Sequence, residues 1–337
     1  MGSNTSFTSI LDAEQQARLA ALLRTGNYRL ADVPYTAVAA DGEQCRIALY
    51  NSGKCCVQGK GAKAFVEFVL EPEVLRAAIL GYDEVHDPAR FEPHLGVDES
   101  GKGDFFGPLV IAAAYVDRDL IPVFEEIGVR DSKNITSDQR LLKIAAALRQ
   151  HLGVRFAVVV ISPRRYNELY ASMRSVNTML AWGHARALEN ALEKLPGCKR
   201  AISDQFGSAS LITRALLKRG RQIEFVQYHK AESDPAVAAA SILAREGFLM
   251  AMRQMGEKLK TTIPKGASGL TRSAAVELVK SHGPQVLLET VKCHFKTTDE
   301  VLSAAGHSRA DLGAAGAAVS RSYLPRQARA VEAEVVL

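Results

Sequence analysis

The chain has 337 residues, 47% of them hydrophobic and 23% charged, with a formal charge of +5; this is the balance of a protein with an apolar core and one large domain or two ordinary ones. No uninterrupted apolar stretch reaches the roughly 18 residues of a membrane span, and the N-terminal MGSNTSFTSILDAEQQ lacks the basic head and apolar core of a secretory signal. The five cysteines are odd in number and show no CxxC spacing, which argues against a disulfide framework or zinc site and for a reduced, cytoplasmic protein.

Residues 7–24 place Ile10, Leu11, Ala17, Leu19, Leu22 and Leu23 at roughly helical spacing, with Gly26 as a stop. Turn signals at Asp41-Gly42 and Asn51-Ser52-Gly53 then separate short strand-like runs, which predicts an antiparallel meander. A helix near 61–70 follows and stops before Pro72. Residues 1–81 therefore read as a small α+β domain. Residues 82–93, YDEVHDPARFEP, are polar, carry two prolines and show no periodicity; they read as a linker.

Residues 94–300 mix both patterns. Strand-like runs cover 94–99, 108–116, 154–161, 199–204 and 222–228, and helix-like runs 137–150, 176–194, 208–219, 234–256 and 272–292. Hairpin-like elements come first and βα alternation later, which predicts an α/β domain with a mixed sheet and flanking helices. Residues 301–337 are rich in alanine and glycine and read as a mobile, low-complexity tail.

Charge is unevenly divided. Residues 1–93 carry 9 Lys/Arg against 12 Asp/Glu, and residues 94–300 carry 29 against 22, so the second domain has a net +7. That is the field expected of a polyanion binder.

The acids of this basic domain stand in unusual places. In HLGVDESGKGDFFGPLV (94–110), Asp98 and Glu99 end an apolar strand. Successive strand residues point to opposite faces, so the two carboxylates converge only if the chain leaves the regular pleat at Glu99; Ser100-Gly101 permits that. Asp204 ends the strand before QFGS. Glu232 and Asp234 follow another strand and open a long helix, with Pro235 fitting its first turn; one of these two acids is expected to cap it. Carboxylates gathered at one sheet edge repel each other unless cations sit between them. Oxygen-only ligands select Mg²⁺ or Mn²⁺, and two such ions can activate water against a phosphodiester. The adjacent Ser100-Gly101-Lys102-Gly103 turn is not a Walker loop, but its small residues let a substrate backbone approach exposed N–H groups.

GVDESGKGDFFGPLV, RDSK at 130–133, ISDQFG at 202–207 and HKAESD…AAASILAR, in that order, resemble ribonuclease HIII, a type 2 ribonuclease H. The resemblance covers most of residues 94–300. It implies a ribonuclease H-like catalytic domain, preceded by a domain similar to the TATA-binding protein fold that binds hybrid. It further implies endonucleolytic cleavage of RNA in RNA–DNA hybrids with Mg²⁺ or Mn²⁺, leaving 5′-phosphate and 3′-hydroxyl ends. Asp98, Glu99 and Asp204 match the first three active-site acids and Glu232 the fourth, with Asp234 as second choice. Ser100, Gly101, Lys102 and Gly103 match the segment that meets ribose 2′-hydroxyls, the group that marks RNA. Lys133 is expected at a substrate phosphate. His229 and Lys230 are candidates to orient water or assist product release, or, for His229, to pack. His184 and Trp182 read as core or interface residues. The N-terminal net charge of −3 opposes a phosphate-binding role, though Lys54, Lys60 and Lys63 could form a basic ridge. A monomer without a membrane partner is expected. The alternatives are a ribonuclease HII-like enzyme that excises single ribonucleotides, and a non-catalytic hybrid-binding protein.

Overall fold

The computed structural model describes residues 6–76, 91–129, 132, 135–205, 212, 214–228 and 231–320. The chain divides into two units, Met1–Phe91 and Glu92–Leu337. Most of the linker read over 82–93 lies outside the described residues.

In the first unit β1 (Ser6–Ile10) leads into α1 (Ala13–Thr25). The switch falls at Asp12. Its carboxylate accepts from the Gln15 N–H at 2.8 Å, while the Gln15 side chain accepts from the Asp12 N–H at 3.0 Å, a reciprocal cap that satisfies two otherwise orphan donors. The helix expected over 7–24 therefore starts only at Ala13, and the residues before it form an edge strand. β2 (Arg29–Leu30), β3 (Thr36–Gly42), β4 (Cys45–Tyr50) and β5 (Lys54–Gln58) complete an antiparallel sheet in the order β1-β5-β4-β3-β2. Strand alternation sets its faces: Cys45, Ile47 and Leu49 are buried and Arg46 is exposed. The inward side chains join Leu19 and Leu23 of α1 and Phe65, Val66 and Leu70 in one core. The last three belong to a helix that begins as α2 (Ala62–Phe65) and continues in wide i→i+5 turns over Val66–Leu75, with Pro72 inside it. It runs past the proline at which the sequence predicted a stop. In α winding Pro72 would lose a hydrogen bond and strike the carbonyl four residues back; the wider winding moves that carbonyl aside.

The second unit is built on β6 (His94–Ser100), β7 (Leu109–Val116), β8 (Phe156–Ile161), β9 (Arg200–Asp204) and β10 (Glu224–Tyr228), in the order β10-β9-β6-β7-β8. β6, β7 and β8 form an antiparallel meander, and β9 and β10 add to β6 in parallel. This is the mixed sheet with flanking helices that the sequence predicted. Around it lie α3 (Leu120–Ile127), α4 (Asp138–Leu152), α5 (Pro163–Met173), α6 (Val176–Lys194), α7 (Pro235–Leu259), α8 (Gly269–His282) and α9 (Val286–Thr290). Neither α3 nor α5 is among the helices that the sequence pattern predicts, although α5 opens on the Ser162 cap with Pro163 in its first turn, a regular start signal. The single helix predicted over 272–292 is divided at Gly283-Pro284. Of that predicted over 208–219, residues 208–211 and 213 lie outside the described residues; Arg214 and Ala215 are helical, but the helix has ended by Leu216, short of the predicted 219.

α7 packs along one face of β6 and β7, and α6 packs on the other. Gly96 admits α7, because a Cβ there would stand 2.1 Å from the Ala236 and Val237 backbone. On the opposite face Leu95, Val97 and Ile111 join Met179, Leu180 and Leu188 in the main core. By length and composition α7 could span a bilayer, but most of its apolar stretch is buried inside the protein.

The region read as a mobile tail is ordered as far as Ser320. α10 (Thr297–Ala304) buries Val301 and Leu302, and α11 (Gly313–Ala317) follows. Arg309 ties them down, donating to the Asp299 carboxylate and to the carbonyls of Cys293, Phe295 and Gly316. Alanine-rich sequence looked featureless because its small side chains carry little periodic signal, yet Ala318 enters the main core. Residues 321–337 lie outside the described part.

Candidate active site

Asp98 and Asp204 lie side by side. β6 and β9 are parallel, with Val97 opposite Ser203, so the next residue on each strand is an aspartate at the same level. Neighbouring strands are about 4.8 Å apart, which places the two backbones within reach of one small ion. Tyr228 of β10 stands opposite Asp204.

Glu99 reaches this rim differently from the sequence expectation. The β6–β7 ladder stays in register through Asp98–Ala112, Glu99–Ile111 and Ser100–Val110. The chain does not leave the pleat, so the two side chains leave the strand on opposite sides of the sheet, but at the strand end their carboxyls stay close enough for the Glu99 charge to act on Asp98. Their partners agree. Ser241 of α7 hydrogen-bonds the Asp98 carboxylate, and the Ser132 hydroxyl lies 2.7 Å from that of Ser241. Glu99 turns toward α6, where His184 Nε2 stands 3.1 Å from Glu99 Oε2; Lys102 Nζ lies 3.7 Å from Glu99 Oε1.

These surroundings divide the pair electrostatically. Burial first, and then the Glu99 charge, push the Asp98 carboxyl up to about 7, against the Glu99 N–H, Ser241 and His184. Burial also pushes Glu99 upward, but hydrogen bonding and charge from His184, followed by Lys102, outweigh it and hold the group below its ordinary value. His184, read from the sequence as a packing residue, is buried and is also a partner of a candidate catalytic acid. A histidine among small residues on the inward side of a helix was its only visible signal.

The two candidates for the fourth acid differ in their partners. Asp234 caps α7, its Oδ1 accepting from the N–H groups of Ala236 and Val237 at 2.9 and 3.1 Å. His94, buried at the start of β6, places Nε2 3.0 Å from Asp234 Oδ2. Asp234 is thereby committed to holding the helix. Glu232 lies in the preceding single turn, Ala231–Ser233, half-buried, with Ala231 packed on Ile202 of β9. Lys133, His229 and Lys230 lie outside the described residues.

The glycine turn follows β6. Gly101 has φ +88°, and a Cβ there would stand 2.3 Å from the Pro108 carbonyl oxygen; both features require glycine. Gly103 differs: a Cβ there would meet nothing within 4 Å. Lys102 is partly exposed and Gly103 exposed, so together they form the tip.

Among the described residues no three of His, Cys, Asp and Glu stand close enough together to hold a metal ion. The donor chemistry nevertheless fits a hard divalent cation. The candidate ligands are oxygens only, and Asp98 carries a buried charge opposed by its neighbour, the electrostatic condition that a cation relieves.

Residues 95–298 match the family model described as Ribonuclease HII. Ribonuclease HIII of Protochlamydia amoebophila is 36% identical over 306 residues, covering 91% of this chain and all of the relative. That of Chlamydia felis is 38% identical over 304 residues, 90% of this chain and 99% of the relative. Among solved structures, Bst-RNase HIII in complex with Mn²⁺ superposes with a TM-score of 0.62 at 27% identity, covering 89% of this chain and 99% of that one. The fold and the matched segment define a type 2 ribonuclease H, a nuclease of the hydrolase class. The chain belongs to the ribonuclease HIII family within it.

Proposed function

We propose that this protein hydrolyses the RNA strand of RNA–DNA hybrids endonucleolytically, with Asp98, Glu99, Asp204 and Glu232 as its catalytic acids. The observation that carries the reading is the parallel register of Val97 with Ser203, which sets Asp98 and Asp204 at the same level on adjacent strand ends, next to the Gly101–Gly103 turn. The ribonuclease HIII relatives support the substrate class, and the Mn²⁺ complex of the structural neighbour supports a divalent ion.

The four acids would hold Mg²⁺ or Mn²⁺, which as a pair supplies an activated water and stabilisation of the leaving oxygen. The chain's own groups do the rest. His184 fixes the Glu99 carboxylate on one face of β6, and Ser241 fixes that of Asp98 on the other. Gly103, whose missing side chain serves no contact within the fold, leaves the turn open to a ribose, where backbone N–H groups and Ser100 meet the 2′-hydroxyl. Lys102 and Lys133 supply positive charge for phosphates. Attack of water on phosphorus with departure of the 3′-oxygen gives a 5′-phosphate on one product and a 3′-hydroxyl on the other. The first unit is read as a hybrid-binding module.

The test compares a long hybrid with a DNA duplex carrying one ribonucleotide, each with Mg²⁺ and with Mn²⁺. Cleavage of the hybrid at many positions, with little cutting of the second substrate, is expected. Strong incision 5′ to the lone ribonucleotide would favour the single-ribonucleotide reading instead. Asp98→Asn is expected to abolish cleavage while retaining binding; an unchanged rate would remove the catalytic assignment and favour no metal role for β6.

A further inference from the structure

Beneath the glycine turn lies a cation with no exposure to solvent, Lys292. Its Nζ donates to the carbonyl oxygens of Asp104 and Gly107 at 2.8 Å and of Phe106 at 3.3 Å. Three N–H groups thus meet three acceptors drawn from four consecutive residues. Without the ammonium these carbonyls would converge on an apolar interior with no donor, each at the cost of a buried unsatisfied group.

The same stretch is held by its backbone. Phe106 and Val291 form an isolated bridge. The Lys292 N–H donates to the Phe105 carbonyl and the Gly107 N–H to that of Thr290, both at 2.9 Å. On the other side the Phe105 N–H donates to the Gly266 carbonyl at 3.0 Å, and the Gly266 N–H donates to Asp104 Oδ1 at 2.6 Å. Asp104 is also the closing residue of the turn, its N–H reaching the Gly101 carbonyl at 3.3 Å. The exposed Lys102–Gly103 tip therefore stands between β6 on one side and the Lys292-bound carbonyls on the other.

We propose that Lys292 is a positioning residue for substrate binding: its buried ammonium shapes residues 104–107 and so sets the Lys102–Gly103 tip against the strand to be cut. This rests on the reading of that tip as the substrate-facing turn. The match of donors to acceptors is specific to the charged form. A neutral amine keeps two N–H groups, so one of the three carbonyls must lose its partner.

The site is tuned for that loss within the neutral range. Burial pushes the Lys292 ammonium down to about 7, with the Asp104 charge opposing. The other groups facing it do not compensate. Tyr166 of α5 presents its ring, 5.7 Å from Nζ, and burial raises its hydroxyl out of range. Burial, followed by the charges of Lys292 and Arg309, pushes His294 down to about 3, so it stays neutral. The Cys293 thiol is pushed up to about 12 by burial. Lys292 is thus the group here whose charge changes between pH 6 and 9.

Two measurements test this. Steady-state hybrid cleavage is compared for wild type and Lys292→Met between pH 6 and 9. At pH 6 the variant is expected to show a KM about tenfold higher, the worth of one hydrogen bond to a charged group, with kcat nearly unchanged. The gap is expected to narrow by pH 9, because wild-type KM itself rises through pH 7. A variant acting only through lost stability would lower kcat through its active fraction and leave the pH dependence of KM in place. Equal KM values at pH 6, or a gap independent of pH, would overturn the proposal. Amide hydrogen exchange of the wild type reads the loop without substrate, and decides the matter even if the variant does not fold or the hybrid is not the substrate. Protection factors of the Phe105 and Gly107 amides are expected to fall as pH passes about 7, while those of β7 stay constant; a loop as steady as β7 would overturn the role of Lys292.

Discussion

Asp98 is the residue on which the site turns, and its energetics are unfavourable in the absence of a cation. A buried carboxyl raised to about 7 prefers its proton in the folded state, whereas the unfolded chain releases it near 4. Stability is therefore full below the unfolded value, declines as pH rises from about 4 to about 7, and is level beyond. At about 1.4 kcal/mol per pKa unit, the cost at pH 8 reaches a few kcal/mol. Asn can still accept the Ser241 hydrogen bond but carries no charge. Metal-free Asp98→Asn is therefore expected to match wild type in urea melts near pH 4 and to exceed it at pH 8. Mg²⁺ or Mn²⁺ should then stabilise wild type at pH 8 far more than the variant. Melts that run parallel at both pH values would mean that Asp98 bears no buried charge. The divided surroundings of Asp98 and Glu99 follow from one fact, the unbroken pleat of β6, which gives each acid its own helix as neighbour.

At the scale of elements, the junction of β10 with α7 sorts two nearby acids into two jobs. Asp234 holds the start of a 25-residue helix and is held by His94 in turn, while Glu232 makes no hydrogen bond or ion pair among the described residues. Asp234→Ala should cost about 1–2 kcal/mol, the worth of a strong N-cap, and leave much of the cleavage rate. Glu232→Gln should leave the melting curve almost unmoved and lower cleavage by at least about 100-fold, more than the loss of an outer partner of a metal ligand costs. The reverse pattern would make Asp234 the fourth acid. Much of this element was legible in the sequence: an acid after an apolar run marks a strand end, and Asp-Pro before small residues marks a helix start. The mixed sheet, α6 and the place of Asp98 and of Asp204 at the end of its own strand were legible for the same reason, since they rest on local periodicity. His184 and Lys292 were not. Each is a polar residue in an apolar stretch, and its meaning depends on a partner about 85 to 188 residues away. The order of residues 301–320 was hidden for another reason: it depends on Arg309 gathering four acceptors 7 to 16 residues away rather than on any pattern among the alanines.

At the scale of the whole molecule, charge is segregated between the units: the first 93 residues are net negative and the next 207 net positive. If phosphate contact alone fixed affinity, the second unit would carry it all and the first would be repelled. The first unit nevertheless presents Lys54, Lys60 and Lys63 as exposed side chains, at the start of β5 and around the turn into α2, while its acidic Asp41 is neutralised by Arg46 and Arg29. If these three lysines meet the hybrid, they would bind phosphate through few contacts, each releasing counterions. Replacing all three lysines by alanine should then weaken hybrid binding and flatten the slope of log K against log salt by about 0.7–0.9 per lost contact, hence by about two to three units if all three engage. Fluorescence anisotropy of a labelled hybrid between 50 and 200 mM salt, roughly the range over which such slopes are read, supplies the measurement. A weakened affinity with an unchanged slope would assign the first unit a role through uncharged contacts with sugar or base. An unchanged affinity would leave hybrid binding to the second unit alone, since its net charge and its glycine turn need nothing from the lysines of β5 and α2.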